Sequence, residues 1–152
     1  MAHIEQPRPD PVHQQSLTAG TPTACMLQVQ QAINQHDLEA LVACFASGYE
    51  SEFPAHPGRA FRGHAQLRAN WSRIFSLVPD IHAELLCASE DGETVWTEWE
   101  WGGTRVDGLP FLQRGVTIQG VRDARIAWVR LYVEPVREDG HAIAVTTDGE
   151  TS

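Results

Sequence analysis

The sequence predicts an α+β domain in which three helices cover one face of an antiparallel sheet. Apolar residues recur at helical spacing in three segments before residue 79, and four segments after it read as β-strands. Short turns at 91–92 and 122–124 separate neighbouring strands at hairpin spacing. Successive hairpins form an antiparallel sheet, and helices that precede such a sheet bury their apolar faces against it.

Three helices are predicted from apolar periodicity and from end signals. The first covers 23–35, where apolar residues recur every four positions. Asp37 is a typical N-cap for a short second helix that ends near Gly48, and the third helix ends at Pro79. The apolar face of the third helix comprises Leu67, Trp71, Ile74, Phe75 and Val78.

One strand is predicted between the second and third helices, and four follow the third. The first strand runs from Tyr49 to Phe53 and stops at Pro54, because proline lacks the backbone donor that a strand uses. The later strands cover about 81–89, 93–102, 112–121 and 125–134.

The folded unit is predicted to span 23–137. Residues 1–22 carry four of the nine prolines and little apolar periodicity, which indicates a flexible arm. Residues 138–152 are predicted to form a flexible tail, with the alternative that the AIAV run within them pairs as an edge strand.

Composition argues against several classes of protein. Twenty acids face eleven bases, and the net charge of −9 would repel a phosphate backbone, so we expect no nucleic-acid partner. The three cysteines are isolated and the histidines lack ligand spacing, so no metal site is expected. No glycine-rich phosphate loop is present, and we expect no cofactor. Without a secretory signal or an apolar run of ~18 residues, we expect a cytoplasmic protein that does not enter a membrane.

Two runs of residues resemble a known superfamily. The first run is VQQAINQHDLEALVACFASGYESEFP. It resembles the opening helices and first strand of the ketosteroid isomerase and nuclear transport factor 2 superfamily. The second run is GETVWTEWEWGGTRVDG…RGVTIQGVRDARIAWVRLYVEP. It is similar to the polyketide-cyclase-like (SnoaL-like) branch of this superfamily and to limonene epoxide hydrolases. The resemblance implies a strongly curved sheet that wraps the helices into a cone with an apolar cavity. It also implies a homodimer formed through the outer face of the sheet.

The resemblance to ketosteroid isomerase does not carry its catalytic groups. The position of its tyrosine is Val29 here, that of its carboxylate base is Phe53, and that of its aspartate donor is near Val116 or Thr117. Steroid isomerisation by that mechanism is therefore not expected.

One carboxylate is retained from the other two branches. The last aspartate of limonene epoxide hydrolase matches Glu134, whereas its arginine and first aspartate match Trp99 and Trp101. The polyketide-cyclase-like branch places its acid/base carboxylate near the end of the last strand, again at Glu134. The histidine that follows Gly-Thr in that branch is Arg105 here.

Strand alternation indicates which side chains face the cavity. Thr97, Trp99 and Trp101 share one face of their strand, and the two indoles would form a wall for a flat apolar ligand. The alternative is that they only fill the core. On the last strand Trp128, Arg130, Tyr132 and Glu134 share a face. If it points inward, desolvation would tune Glu134 for acid/base chemistry; the alternative is a solvent-facing row.

The leading hypothesis is a cofactor-independent enzyme that binds an apolar small molecule and uses general acid/base catalysis. Isomerisation, cyclisation, dehydration and epoxide opening all fit. The predicted catalytic residues are Glu134, Tyr132, Glu52 and His56. The predicted substrate-binding residues are Trp99, Trp101, Trp71, Phe53, Val29 and Arg130. The alternatives are a non-catalytic binding protein with the same pocket, and a structural dimeric domain whose cone is filled by side chains.

Overall fold

The computed structural model describes residues 20–138, and these form three α-helices and six β-strands. The predicted arm up to residue 19 and the predicted tail from residue 139 onward lie outside the described residues. The helices are α1 Pro22–Asn34, α2 Leu38–Ala43 and α3 His64–Leu77. The strands are β1 Phe45–Glu52, β2 Phe61–Arg62, β3 His82–Asp91, β4 Thr94–Thr104, β5 Pro110–Arg122 and β6 Arg125–Pro135.

Side-chain caps explain where the first two helices begin. The Thr21 hydroxyl accepts a hydrogen bond from the backbone N–H of Ala24 at 3.1 Å. The Asp37 carboxylate accepts one from the N–H of Ala40 at 3.0 Å. Each cap satisfies a backbone donor that the first helical turn leaves unpaired. The predicted N-cap at Asp37 is confirmed.

The second helix is shorter than predicted. It ends at Ala43 and β1 begins at Phe45, so the predicted helix end near Gly48 and the predicted strand start at Tyr49 are wrong. Phe45 pairs with Ile126 of β6, and its ring lies 4.7 Å from that of Tyr49, centroid to centroid. The long-range pairing with β6 outweighs the local helical periodicity.

The sheet has the strand order β2-β1-β6-β5-β4-β3. Strand β1 runs parallel to β6, whereas the other neighbours are antiparallel, so the sheet is mixed and the prediction of a wholly antiparallel sheet is wrong. Hairpin turns report only on consecutive strands and carry no information on how the first strand pairs with the last. The two-residue strand β2 was not predicted. The α+β class, with three helices against one sheet, is confirmed.

Both predicted hairpin turns are confirmed. Gly92, between β3 and β4, has a φ of 59°, in the left-handed region that glycine adopts without strain. Between β5 and β6, Asp123 and Ala124 have φ values of 53° and 59°. Two consecutive left-handed residues are typical of the tight turn whose twist matches paired strands.

The two faces of β4 differ as the alternation predicts. Thr97 and Trp99 are each 2% exposed on the inner face, whereas Trp96 on the outer face is 53% exposed. The outer face also exposes Tyr132 of β6. The homodimer expected through this face stays a prediction.

Helices α1 and α3 pack against the sheet to different extents. The Asn34 side chain exchanges two hydrogen bonds with the backbone of Ala83 in β3, at 2.9 and 2.6 Å, and α1 buries most of its apolar residues. Helix α3 buries only Leu67 fully, and its Trp71 and Ile74 are half-buried. These two residues face a hollow. Among the described residues no helix is long and apolar enough to cross a membrane.

Candidate functional site

A cavity of about 210 Å³ lies between α1, α3 and the inner face of the sheet. A cavity of about 150 Å³ is enough to hold benzene. Pockets for drug-sized ligands begin at roughly 300 Å³. The size therefore suits a molecule of one or two rings.

Three indoles form one wall of this cavity. The ring centroids of Trp99 and Trp101 lie 6.1 Å apart, and those of Trp71 and Trp101 lie 6.2 Å apart in an edge-to-face arrangement. Trp71 comes from α3 and the other two from β4, so the wall joins the helix layer to the sheet. Such a wall presents flat apolar surface to a ligand.

The position of Trp99 is fixed by a buried polar cluster. Its indole N–H lies 2.9 Å from the Thr97 hydroxyl and 3.0 Å from the Thr117 hydroxyl, and the two hydroxyls are 2.7 Å apart. Thr97 also donates to the Thr117 backbone carbonyl, at 2.9 Å. Because a buried indole N–H needs an acceptor, this cluster holds the ring in one orientation.

Two polar atoms in the cavity wall have no hydrogen-bond partner among the described residues. They are the hydroxyl of Tyr49 and the indole Nε1 of Trp101, and both atoms are fully buried. Burial raises the pKa of Tyr49 well above its ordinary value, so the phenol keeps its proton and can donate. Two side chains that line the cavity therefore each carry a covered hydrogen-bond donor that has no partner among residues 20–138.

No acid, histidine or arginine lines the cavity among the described residues. Its polar lining consists of neutral groups such as Ser51, Asn70 and Gln113, together with Tyr49 and Thr117. The interior by itself can bind and orient an apolar molecule but offers no carboxylate or imidazole for proton transfer.

Charged groups appear in a second hollow that shares four lining residues with the cavity, which we call the vestibule. The shared residues are Phe53, Trp101, Gln113 and Leu131. The vestibule adds Arg59, Glu134 and Arg137. Neither arginine forms an ion pair with any residue in 20–138. The vestibule thus places a carboxylate and two guanidiniums at the entrance of the apolar cavity.

Glu134 is held by a histidine from the loop after β1. Its Oε1 lies 2.6 Å from Nε2 of His56, and the two side chains are 57% and 42% exposed. Glu52, the last residue of β1, pairs with Arg130 of β6. Because β1 runs parallel to β6, the loop that follows β1 and contains His56 lies next to the end of β6, where Glu134 is. In this arrangement Glu134 Oε2 has no hydrogen-bond partner among residues 20–138.

Five of the six predicted substrate-binding residues line the cavity. These residues are Val29, Phe53, Trp71, Trp99 and Trp101. Two of the four predicted catalytic residues, His56 and Glu134, are brought together at the vestibule.

The predicted inward row on β6 is wrong. Its inner face carries Val129 and Leu131, because alternation turns these apolar residues toward the cavity. Arg130 lies on the outer face, where its Nε is 3.3 Å from Glu52 Oε2. Tyr132 also lies there and is 45% exposed. Arg130, Tyr132 and Glu52 therefore do not reach the cavity.

Glu134 follows the same alternation as the outward-facing Arg130 and Tyr132, but it is next to the last residue of β6 and lines the vestibule. Its surroundings are the vestibule and solvent, so the desolvated site that the sequence analysis considered for this carboxylate is not formed.

Sequence reasoning missed several residues of the site. Tyr49 was taken only as the start of a strand, although its spacing from Phe45 and Ser51 places all three on the buried side of β1. Arg59 and Arg137 lie far apart in the sequence and carry no local signal. Only the tertiary fold brings them to one hollow. Within the described residues, no group of three or more potential ligands could hold a metal ion.

Comparison with protein families gives a match over most of the folded unit. The model of the SnoaL-like domain matches residues 27–129, well over half of the chain. The chain belongs to the SnoaL-like family. No curated protein matches it in sequence.

Solved structures of the same fold come from several bacteria. A proposed polyketide cyclase from Streptomyces antibioticus, IdmH, is 22% identical with a TM-score of 0.64, over 75% of this SnoaL-like chain and 91% of that one. A proposed isomerase from Bacillus subtilis is 18% identical with a TM-score of 0.66, over 74% and 86%. A protein from Catenulispora acidiphila with a ketosteroid isomerase-like fold, solved with trimethylamine, is 21% identical with a TM-score of 0.63, over 72% and 84%.

These similarities establish the fold of the SnoaL-like chain. At such identities they do not transfer a substrate or a reaction, because one fold of this kind carries many chemistries. The function has to be argued from the cavity and its vestibule.

Proposed function

We propose that the protein is a cofactor-independent enzyme that binds an apolar small molecule in the cavity and transfers a proton at the vestibule. The observation that carries this proposal is the 2.6 Å hydrogen bond between Glu134 and His56 at the entrance of an aromatic cavity. Relatives of the fold that are proposed cyclases and isomerases agree with this reaction class.

The proposed step begins at a carbon next to a carbonyl group. The C–H bond breaks, its proton forms an O–H bond with Glu134 Oε2, and the electron pair moves to the carbonyl oxygen as an enolate. His56 holds the carboxylate through Oε1. Arg59 and Arg137, in the same vestibule, offset the negative charge that develops on the oxygen. If the substrate is a β,γ-unsaturated ketone, return of the proton from Glu134 to the γ-carbon gives isomerisation. If the enolate carbon instead attacks a second carbonyl of the substrate, the alkoxide that forms takes the proton from Glu134, which gives cyclisation.

The test measures hydrogen–deuterium exchange of a bicyclic ketone. The full chain is incubated with 2-tetralone in D₂O, and the loss of its α-protons is followed by NMR. We expect exchange above the buffer rate, and a fall of roughly 10²- to 10⁴-fold in Glu134→Gln. Glu98→Gln, which removes an exposed carboxylate from the outer face of β4, is the matched control. Exchange at the wild-type rate in Glu134→Gln would remove this carboxylate from the mechanism.

A non-catalytic binding protein is the second candidate. The observation that favours it is the neutral lining of the cavity itself, where a ligand could rest without meeting Glu134. Calorimetric binding of 2-tetralone without any exchange above the buffer rate would support this candidate over the enzyme.

A further inference from the structure

Tyr49 and Trp101, which line the cavity, each carry a covered donor atom that has no partner among the described residues, and the two side chains lie near different ends of the cavity. Trp101 pairs with Gln113 of β5, and Gln113 pairs with Pro135, next to Glu134 on β6. Trp101 therefore lies at the vestibule end. Tyr49 precedes Glu50, which pairs with Trp128 near the other end of β6. The two donors belong to opposite ends of one cavity.

Leaving such atoms unpaired is costly. A buried polar atom without a hydrogen bond loses its interaction with water and gains nothing in return. The neighbouring Trp99 shows that this chain can satisfy an indole N–H from within, through Thr97 and Thr117. Trp101 sits in the same wall and has no such acceptor among the described residues.

The chemistry of the two donors restricts the ligand. An indole N–H only donates, so its partner must be an acceptor. The phenol of Tyr49 stays protonated and donates to an acceptor as well, or accepts from a hydroxyl. Most of the remaining lining is apolar, and its other polar groups are the neutral side chains of Ser51, Asn70, Gln113 and Thr117. An oxygen placed against the apolar part of the wall would be desolvated without a partner.

We propose that the natural ligand is a one- or two-ring apolar molecule with an oxygen function at each end, one bonded by Tyr49 and one by Trp101. This inference rests on the small-molecule binding in the proposed function and adds the class of the ligand. Because both polar atoms are covered in the ligand-free protein, the proposal includes a rotation of each side chain toward the ligand oxygen when the ligand binds. The oxygen at Trp101 is the one next to the vestibule, where the proton transfer is proposed. The oxygen at Tyr49 is an anchor at the far end.

The test uses three rigid molecules of similar shape. Naphthalene has no oxygen, 2-naphthol has one, and 2,6-dihydroxynaphthalene has one at each end. Their dissociation constants are measured by calorimetry for the full-length wild type, Tyr49→Phe and Trp101→Phe. Tyr132→Phe is the matched control, because it removes a half-exposed hydroxyl from the outer face.

We expect the dihydroxy compound to lose affinity by roughly 3- to 10-fold in each cavity variant, while naphthalene binds unchanged in Tyr49→Phe. Tyr132→Phe should bind all three as the wild type does. If Trp101→Phe does not fold, the Tyr49→Phe comparison decides alone. Equal loss for naphthalene and the dihydroxy compound, or no loss for either, would overturn the inference while the cavity remains a binding site. If the wild type binds none of the three, the proposed function fails and the inference fails with it.

Discussion

The cavity and its vestibule share four residues and differ in chemistry. The cavity wall holds aromatic and aliphatic side chains with a few neutral polar groups. The vestibule holds Glu134 near the end of β6, Arg137 just after this strand, and Arg59 from the loop between β1 and β2. On β6 the difference follows from position, since Leu131 faces the cavity whereas Glu134 lies three residues farther along, next to the last residue of the strand.

This contrast assigns ligand affinity and the proposed proton transfer to different groups of residues. Changes in the cavity wall should alter stability and ligand affinity, and changes in the vestibule should alter turnover. The chain can therefore keep an apolar interior, which stabilises the fold, and still place charged groups next to a bound molecule without burying them.

The largest expected effect tests whether the cavity wall supports the fold. Trp99→Ala should lower the free energy of unfolding by about 3–5 kcal/mol, because it removes a 2% exposed indole together with its hydrogen bonds to Thr97 and Thr117. Urea denaturation followed by circular dichroism measures this loss.

Trp96→Ala is the matched control for that measurement. Trp96 lies on the same strand and is 53% exposed, so its removal should cost less than about 1 kcal/mol. Similar losses in the two variants would mean that the two faces of β4 do not differ as described.

Part of this contrast was predictable from the sequence. Period-two alternation assigned Trp99 and Trp101 to the inner face and Trp96 to the outer face. The same rule failed on β6, where the sequence offered two rows and the row with Glu134 was considered for the cavity. Hydrophobic burial decides between them, and it selects Val129 and Leu131.

The vestibule was less predictable because it depends on tertiary contacts. The pair of His56 and Glu134 joins positions 78 apart, through the parallel pairing of β1 with β6. Nothing local in the sequence indicates that pairing. Both residues were selected separately from the sequence, and the fold brings them within hydrogen-bond distance.

The second prediction concerns ionisable groups that the interior keeps neutral. Burial raises the pKa of Cys25 to about 12 and that of Cys44 to about 11, from an ordinary value of 9.0. Because the folded pKa values are the higher ones, their contribution to stability is complete below about pH 9 and is lost as the pH rises through 11 and 12. The chain has no lysine, so few other groups titrate in this range.

Urea denaturation between pH 8 and 11 measures this effect. The free energy of unfolding should stay level up to about pH 9 and then fall. The double variant Cys25→Ala, Cys44→Ala should show a shallower fall, because its remaining slope comes from other groups such as Tyr49. An equally steep fall in the double variant would assign the alkaline loss to groups outside this pair.

The smallest expected effect is the sharpest test of the unpaired donors. Tyr49→Phe should leave the free energy of unfolding unchanged or raise it by up to about 1 kcal/mol, because the hydroxyl it removes is buried without a partner among residues 20–138. A buried tyrosine whose hydroxyl is satisfied inside the protein would lose about 1 kcal/mol in the same substitution. Tyr132→Phe provides the baseline for an exposed ring, within about 0.5 kcal/mol of the wild type. A clear loss in Tyr49→Phe alone would mean that its hydroxyl already has a partner in the ligand-free protein, and it would no longer be free to hold the far end of a ligand.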